Sequence, residues 1–246
     1  MSFDGQRIVI VGGSAGIGEA TAAAFAAAGA DVIITGRAKQ RLDLAAQRIG
    51  RPVQVREFDA TDGAAVEEFF GSAGVVDHLV LAASPGAVGA GPFAGLDQAA
   101  LRQAFDGKFF AYVSVLRAAL PSLRADGSVT IVSAVSARAA YPGAAGLAAV
   151  NGALEAIVPP LAVELAPLRV NAVSPGVIDT QWWHGMPDEQ RGAFFQAAAA
   201  TSPAGRIGTA QDVAGAICYL AGASFVTGTV LECAGGANLT VGAVAG

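Results

Sequence analysis

Charge is what this chain has least of. Only 14% of its 246 residues are charged against 53% apolar, and the net charge is −5. No run of Lys or Arg occurs, so neither a nucleic acid nor an anionic membrane is expected as a partner. Lysine is scarcer still, with Lys39 and Lys108 the only two. Cys218 and Cys233 fit no metal-ligand spacing, and His78 and His184 add no constellation, so no metal is expected. With no secretory signal, the two thiols read as reduced core groups in a soluble cytoplasmic protein. No apolar run is read as long enough to span a membrane, since "AAAFAAAG" (22–29) is too short. Repeats, linkers and low-complexity segments are also missing. The chain therefore reads as one domain over 1–246, a length that α/β folds reach without splitting.

What is present is alternation. Short β-branched runs at 7–13, 31–37, 53–59, 77–84, 128–134, 169–175 and 229–236 read as buried strands. Helical patterns fall between them: to about Gly29, over 39–50 and 62–73, a long one over 97–120, another near 144–165, and a last one from Ala210. This order predicts a doubly wound, mostly parallel seven-stranded α/β sheet covered on both faces. The stretch 176–208, with Gly, Pro and the pair Trp182–Trp183, breaks the pattern and reads as an irregular lid.

"VGGSAGIG" (11–18) lies directly between the first strand and the first helix. Gly12, Gly16 and Gly18 allow a tight turn, and Ser14, Ala15 and Ile17 lie where a helix N-terminus offers N–H groups to a pyrophosphate. Glycines alone are a weak signal, because any tight strand-to-helix turn needs one; their placement makes it strong.

With that loop, "FDATD" (58–62), "RVNAVSPGVIDT" (169–180) and "GTVLECAGG" (228–236), the chain resembles the short-chain dehydrogenase/reductase family over nearly its whole length. Val11 replaces the first Thr of the family's glycine motif, and Ala234 replaces the Asp near its end. The resemblance implies that Asp59 binds the adenine amino group and that Ala60 adds a backbone contact. It places Ala82 and Ala83 beside the cofactor, in the segment where the usual Asn-Asn-Ala-Gly is lost. It also implies that the segment from Pro175, through the Ile178 backbone and the Thr180 hydroxyl, holds the nicotinamide carboxamide. After Gly36 at the end of the second strand comes Arg37 rather than a carboxylate. A guanidinium suits a 2′-phosphate, so NADP(H) is expected over NAD(H); a solvated surface Arg is the plainer alternative.

The family's catalytic set is Asn, Ser, Tyr and Lys. By resemblance those positions here are Lys108, Ala134, Leu147 and Asn151, so all four have changed. The flanks of "LAAVNGALEA" (147–156) fit without a gap, and none of Tyr112, Tyr141 and Tyr219 has Lys four residues on. Two changes are reciprocal: Lys stands for Asn and Asn for Lys. Lys108 is therefore expected to face the cofactor ribose or the substrate oxygen with Asn151 as its partner, Asn151 also lying at the cofactor. The plainer alternative is an exposed lysine on a long helix. Ser133 is expected to point away and Ser136 to serve a turn. Tyr141 is read as packing or lining the pocket mouth. His78 reads as structural, His184 is a candidate to touch a small-molecule substrate, and Trp182 and Trp183 either cover an apolar ligand or simply pack the lid.

Three functions remain open. The first is an NADP(H)-dependent oxidoreductase with a non-standard site centred on Lys108. The second is a non-catalytic NADP(H)-binding module or redox sensor. The third is a structural partner in an oligomer, since the resemblance implies a homodimer or homotetramer built on the long helices.

Overall fold

Residues 7–11, RIVIV, carry four β-branched side chains in succession, and all four are buried. Such a run has no solvent face and suits a central parallel strand. In the computed structural model, which describes residues 1–239, it forms β1 (Arg7–Val11). The other strands are β2 (Asp31–Gly36), β3 (Gln54–Glu57), β4 (Val76–Leu81), β5 (Leu123–Val132), β6 (Arg169–Pro175), β7 (Ile178–Asp179), β8 (Gly208–Thr209) and β9 (Val230–Cys233). Seven make one sheet in the order β3-β2-β1-β4-β5-β6-β9, and β7 pairs with β8 apart from it. Every pairing in the large sheet is parallel.

The helices are α1 (Gly16–Ala27), α2 (Lys39–Ile49), α3 (Gly63–Ser72), α4 (Gln98–Ala104), α5 (Ala111–Ala119), α6 (Ala145–Ala156), α7 (Val158–Glu164), α8 (Asp188–Thr201) and α9 (Ala210–Gly222). They cover both faces. Ile8 and Ile10 join a core with Phe25, Leu42 and Ile217 on one side. Val9 and Val11 join another with Phe70, Tyr112 and Leu154 on the other. That is the two-residue period of a strand buried on both sides. The order reverses between β1 and β4, and the crevice at their carboxyl ends is where open α/β sheets bind ligands.

Four expectations need correction. The helix expected over 97–120 is not uniform: between α4 and α5 the chain makes a π-helical turn, Phe105–Phe110. The helix near 144–165 breaks at Ile157 between α6 and α7, where Pro159 and Pro160 open the second segment without N–H donors. The stretch 176–208 is not irregular throughout, since it holds α8, a fourteen-residue helix with no buried residue. Finally, α6 and α7 together, Ala145–Glu164, are long and apolar enough to cross a membrane by length and composition, at 20 residues and mean hydropathy 1.5. Their buried positions include the polar Asn151 and Glu155, which pack inside the protein.

Candidate functional site

The glycine loop sits at the switch between β1 and β4. Gly12 has φ +92° and Gly16 φ +56°, backbone that L side chains rarely adopt. A Cβ on Gly12 would lie 2.5 Å from the Ala83 backbone nitrogen, and one on Gly18 would collide with the Gly12 carbonyl. At Gly12 and Gly18 the loop packs too closely on the end of β4 and on its own turn to admit a side chain. Ala15 caps α1 with no side-chain hydrogen bond, so no capping side chain occupies the first N–H groups of the helix. Glu19 in that turn would repel an anion, but Arg48 holds it by two bonds of 2.7 and 2.8 Å.

Thr180 stands against Gly16, with its Cβ 3.3 Å from where a Gly16 Cβ would be. The segment after β6 thus closes over the loop. Ile178 is buried in β7, and its carbonyl accepts from the Trp183 indole at 2.9 Å. Ala82 continues the sheet by donating to the Val11 carbonyl, and the Ala83 carbonyl accepts from the buried Tyr112 hydroxyl at 2.6 Å. Burial pushes that phenol's pKa up. The Asp59 carboxylate accepts from the Thr61 N–H and hydroxyl at 3.0 and 2.8 Å, so the local turn already uses one oxygen; Ala60 beside it is buried. A tight glycine turn opening α1 at the strand ends is chemically suited to a dinucleotide's pyrophosphate.

Arg37 is exposed just past β2. A cleft of about 180 Å³ beside the glycine loop is lined by Ser14, Arg41, Leu44, Arg48 and Gln181. Arg41, exposed at the start of α2, was missed by the sequence reading. The signal was there, since Arg41, Leu44 and Arg48 follow the i, i+3, i+7 spacing of one helix face.

Lys108 is buried, the only buried residue of its π turn. It shares a face with the buried Ala104, Ala111, Tyr112 and Val115 of the flanking helices. Gly107 beside it packs against Pro85, where a Cβ would come within 3.1 Å. The Lys108 Nζ donates to Asn151 Oδ1 at 2.7 Å and to the Ser133 carbonyl at 3.3 Å. The Asn151 Nδ2 donates to the Leu147 carbonyl at 2.9 Å and to Ser136 Oγ at 3.1 Å. The amide's orientation follows from chemistry: an ammonium only donates and a carbonyl only accepts. Burial lowers the Lys108 pKa from 10.5 to about 8, opposed by the negative charge of Glu155. The reciprocal pair is in contact, and Ser136 belongs to its network rather than to a bare turn. Ala134 and Leu147 are each partly buried nearby in sequence. They bring only backbone and apolar groups, and the Leu147 carbonyl is used by Asn151.

Glu155 was also missed. Buried on α6 one turn beyond Asn151, it accepts from the Ser133 hydroxyl at 2.7 Å and from Arg138 Nε at 2.8 Å. A carboxylate among apolar residues four positions after Asn151 was legible as a helix-face neighbour. The remaining candidates lie elsewhere. His78 bonds Ser128 and Gln6, each at 2.8 Å, and burial takes its pKa down to about 4, a structural role. His184 is exposed. Trp183 packs on Trp182, Phe194 and Phe195 in the lid. Tyr141 is partly exposed, and its phenol is raised by burial. Among the described residues no three of His, Cys, Asp or Glu gather as a metal site.

Comparison with known proteins places this geometry among relatives. Residues 11–238 match a family model described as "Enoyl-(Acyl carrier protein) reductase". The chain is 32% identical to the short-chain dehydrogenase/reductase ATR9 of Stachybotrys chlorohalonatus, covering 96% of this chain and 98% of that one. It is 29% identical, at the same coverages, to the 3-oxoacyl-[acyl-carrier-protein] reductase FabG of Escherichia coli. A solved small-chain dehydrogenase in complex with NADPH superposes with TM-score 0.83 at 30% identity, over 96% of this chain and all of the other.

Proposed function

This chain belongs to the short-chain dehydrogenase/reductase family of oxidoreductases, and we propose that it is an NADP(H)-dependent member acting on a carbonyl or alcohol substrate through a rebuilt polar centre. One observation carries this reading: the 2.7 Å hydrogen bond from Lys108 to Asn151. It joins the two positions where the resemblance implies Asn and Lys. The cation and the amide have exchanged places and stayed together.

Gly12, Gly16, Gly18 and the first turn of α1 would hold the pyrophosphate, Asp59 and Ala60 the adenine, and Ile178 and Thr180 the carboxamide. Arg37, with Arg41 beside it, would meet the 2′-phosphate. When bound, the dinucleotide supplies or takes up the hydride of the reaction. The proton falls to Lys108. With a pKa lowered to about 8, its ammonium keeps its proton at neutral pH yet releases it more readily than a solvated lysine. In the reducing direction Nζ donates to the substrate oxygen as that oxygen gains negative charge. In the oxidising direction the neutral amine takes the hydroxyl proton. Reduction therefore weakens as pH rises through about 8, and oxidation strengthens. Asn151 and the Ser133 carbonyl aim the nitrogen.

The test is NADPH consumption with a panel of aldehydes and ketones, alongside NADPH binding, for the parent and Lys108→Met. Loss of a general acid should lower turnover by about 10²–10⁴-fold while binding persists. Undiminished turnover in Lys108→Met removes Lys108 from the chemistry. A second reading, a non-catalytic NADP(H)-binding module, is favoured by a different observation. The Lys108 side chain is buried and already has two protein acceptors, so two of its three N–H donors are engaged without a substrate. NADPH binding with no turnover in the parent is that reading's signature.

A further inference from the structure

We propose that Glu155 is a positioning residue that sets the charge state of the Lys108 ammonium, acting through Ser133 and tuned from the surface by Arg138. This deepens, and rests on, the reading of Lys108 as the group that holds the proton. Ser133 is the joint. Its carbonyl accepts from Lys108, and its hydroxyl donates to Glu155 Oε1 and lies 3.2 Å from the Val173 carbonyl. The other Glu155 oxygen accepts from Arg138 Nε, whose Nη1 donates to Glu232 of β9 at 2.7 Å. Glu232 in turn accepts from Asn238. Charges thus alternate from the interior outward: Lys108, Glu155, Arg138, Glu232.

The order of signs gives the chain its effect. A buried carboxylate is costly unless paired, and Arg138 supplies the pair. Arg138, however, is shared with Glu232 and is partly exposed, so its charge is both divided and solvent-screened. Glu155 therefore keeps a net attraction for the Lys108 ammonium in a region of low dielectric. That attraction opposes the desolvation of Lys108. The other charged groups on the elements around Lys108 are Arg102 of α4, Asp106 of the π turn, Arg117 of α5, Arg124 and Asp126 of β5 and Glu164 of α7, all exposed, and the buried Tyr112 phenol on its own face is neutral, raised by burial. None can substitute for a carboxylate buried one helical turn from Asn151. The competing possibility is that Glu155–Arg138–Glu232 merely staples α6 to β9. A staple would hold the fold and leave Lys108 untouched.

The scarcity of lysine makes the two distinguishable. Protein labelled with ¹³C-lysine has two lysine side-chain signals, from Lys39 and Lys108, and Lys39→Arg assigns them. The Lys108 signal is titrated in protein without cofactor, so no turnover is needed. Glu155→Gln should lower the Lys108 midpoint by about one pH unit, the effect of removing an opposite charge within several ångströms. Arg138→Gln should raise it, because Glu155 then loses its competitor, and Glu155→Asp should recover part of the parent value. An unchanged Lys108 midpoint in folded Glu155→Gln or Arg138→Gln protein overturns the proposal. If Glu155→Gln does not fold, Arg138→Gln decides, since its side chain is 44% exposed, its loss opens no cavity, and Glu155 keeps the Ser133 hydroxyl as a donor. Turnover surviving Lys108→Met would defeat the catalytic reading and leave this titration intact; a flat titration would defeat the Glu155 coupling and leave turnover untouched.

Discussion

Replacing Lys108 by Met should change how stability depends on pH more than it changes stability itself. The ammonium is buried, and burial lowers its pKa from 10.5 to about 8. At about 1.36 kcal/mol per pH unit, that gap corresponds to about 3 kcal/mol held against the folded state. The sign follows from linkage. Between about 8 and 10.5 the unfolded chain binds more protons than the folded one, so raising pH stabilises the folded parent. The cost is fully present below about 8 and gone above 10.5. Lys108→Met has no such group and lacks this contribution. At pH 7 two effects oppose each other in the variant. Met relieves the buried charge, but it strands Asn151 Oδ1 and the Ser133 carbonyl at roughly 1–3 kcal/mol each, and the net falls near zero. Urea unfolding of both proteins from pH 7 to pH 10 should show the parent gaining about 2 kcal/mol on the variant. Asn151→Leu supplies the mirror image. It leaves the ammonium only its 3.3 Å bond to Ser133 and should cost about 1.5–3 kcal/mol at pH 7, less at pH 10. Parallel pH curves for parent and Lys108→Met would refute the buried-ammonium reasoning at its root.

Two further outcomes follow from the cofactor cleft and the exchanged set. Arg37→Ala and Arg41→Ala should each reduce the preference for NADPH over NADH, by about tenfold or more for a lost charge-assisted contact, measured as the ratio of the two Kd values; an unchanged ratio in both removes the arginines from cofactor choice. Restoring all four family positions together, with Lys108→Asn, Ala134→Ser, Leu147→Tyr and Asn151→Lys, should create or raise NADPH-dependent carbonyl reduction, whereas no single change should raise it, and Lys108→Asn alone should lower it, because such residues act as a unit. A folded, NADPH-binding quadruple variant that stays inert would mean that the substrate pocket has diverged too.

Sequence alone determined the sheet, because local chemistry suffices for it. Runs such as RIVIV can be satisfied only between two helical layers, and strand–helix alternation admits a single kind of winding. The glycine loop was equally legible, since positive φ at Gly12 and close backbone approach at Gly18 leave no alternative residue. The family resemblance implied an exchange of Lys and Asn at positions 108 and 151, but not the contact between them. They lie 43 residues apart, and whether a lysine on a helix faces water or protein depends on what packs against that face. Tertiary structure decided it: the face that carries Lys108 also carries Ala104 and Tyr112, and α6 brings Asn151 to meet it. Long-range packing likewise produced what composition could not disclose. Arg41 joined the glycine loop only when α2 docked there, and Glu155 reached Ser133 and Arg138 only when α6 lay across the end of β5. A side chain's charge is written in the sequence, but the dielectric around it and the partners that keep or remove its proton are properties of the fold.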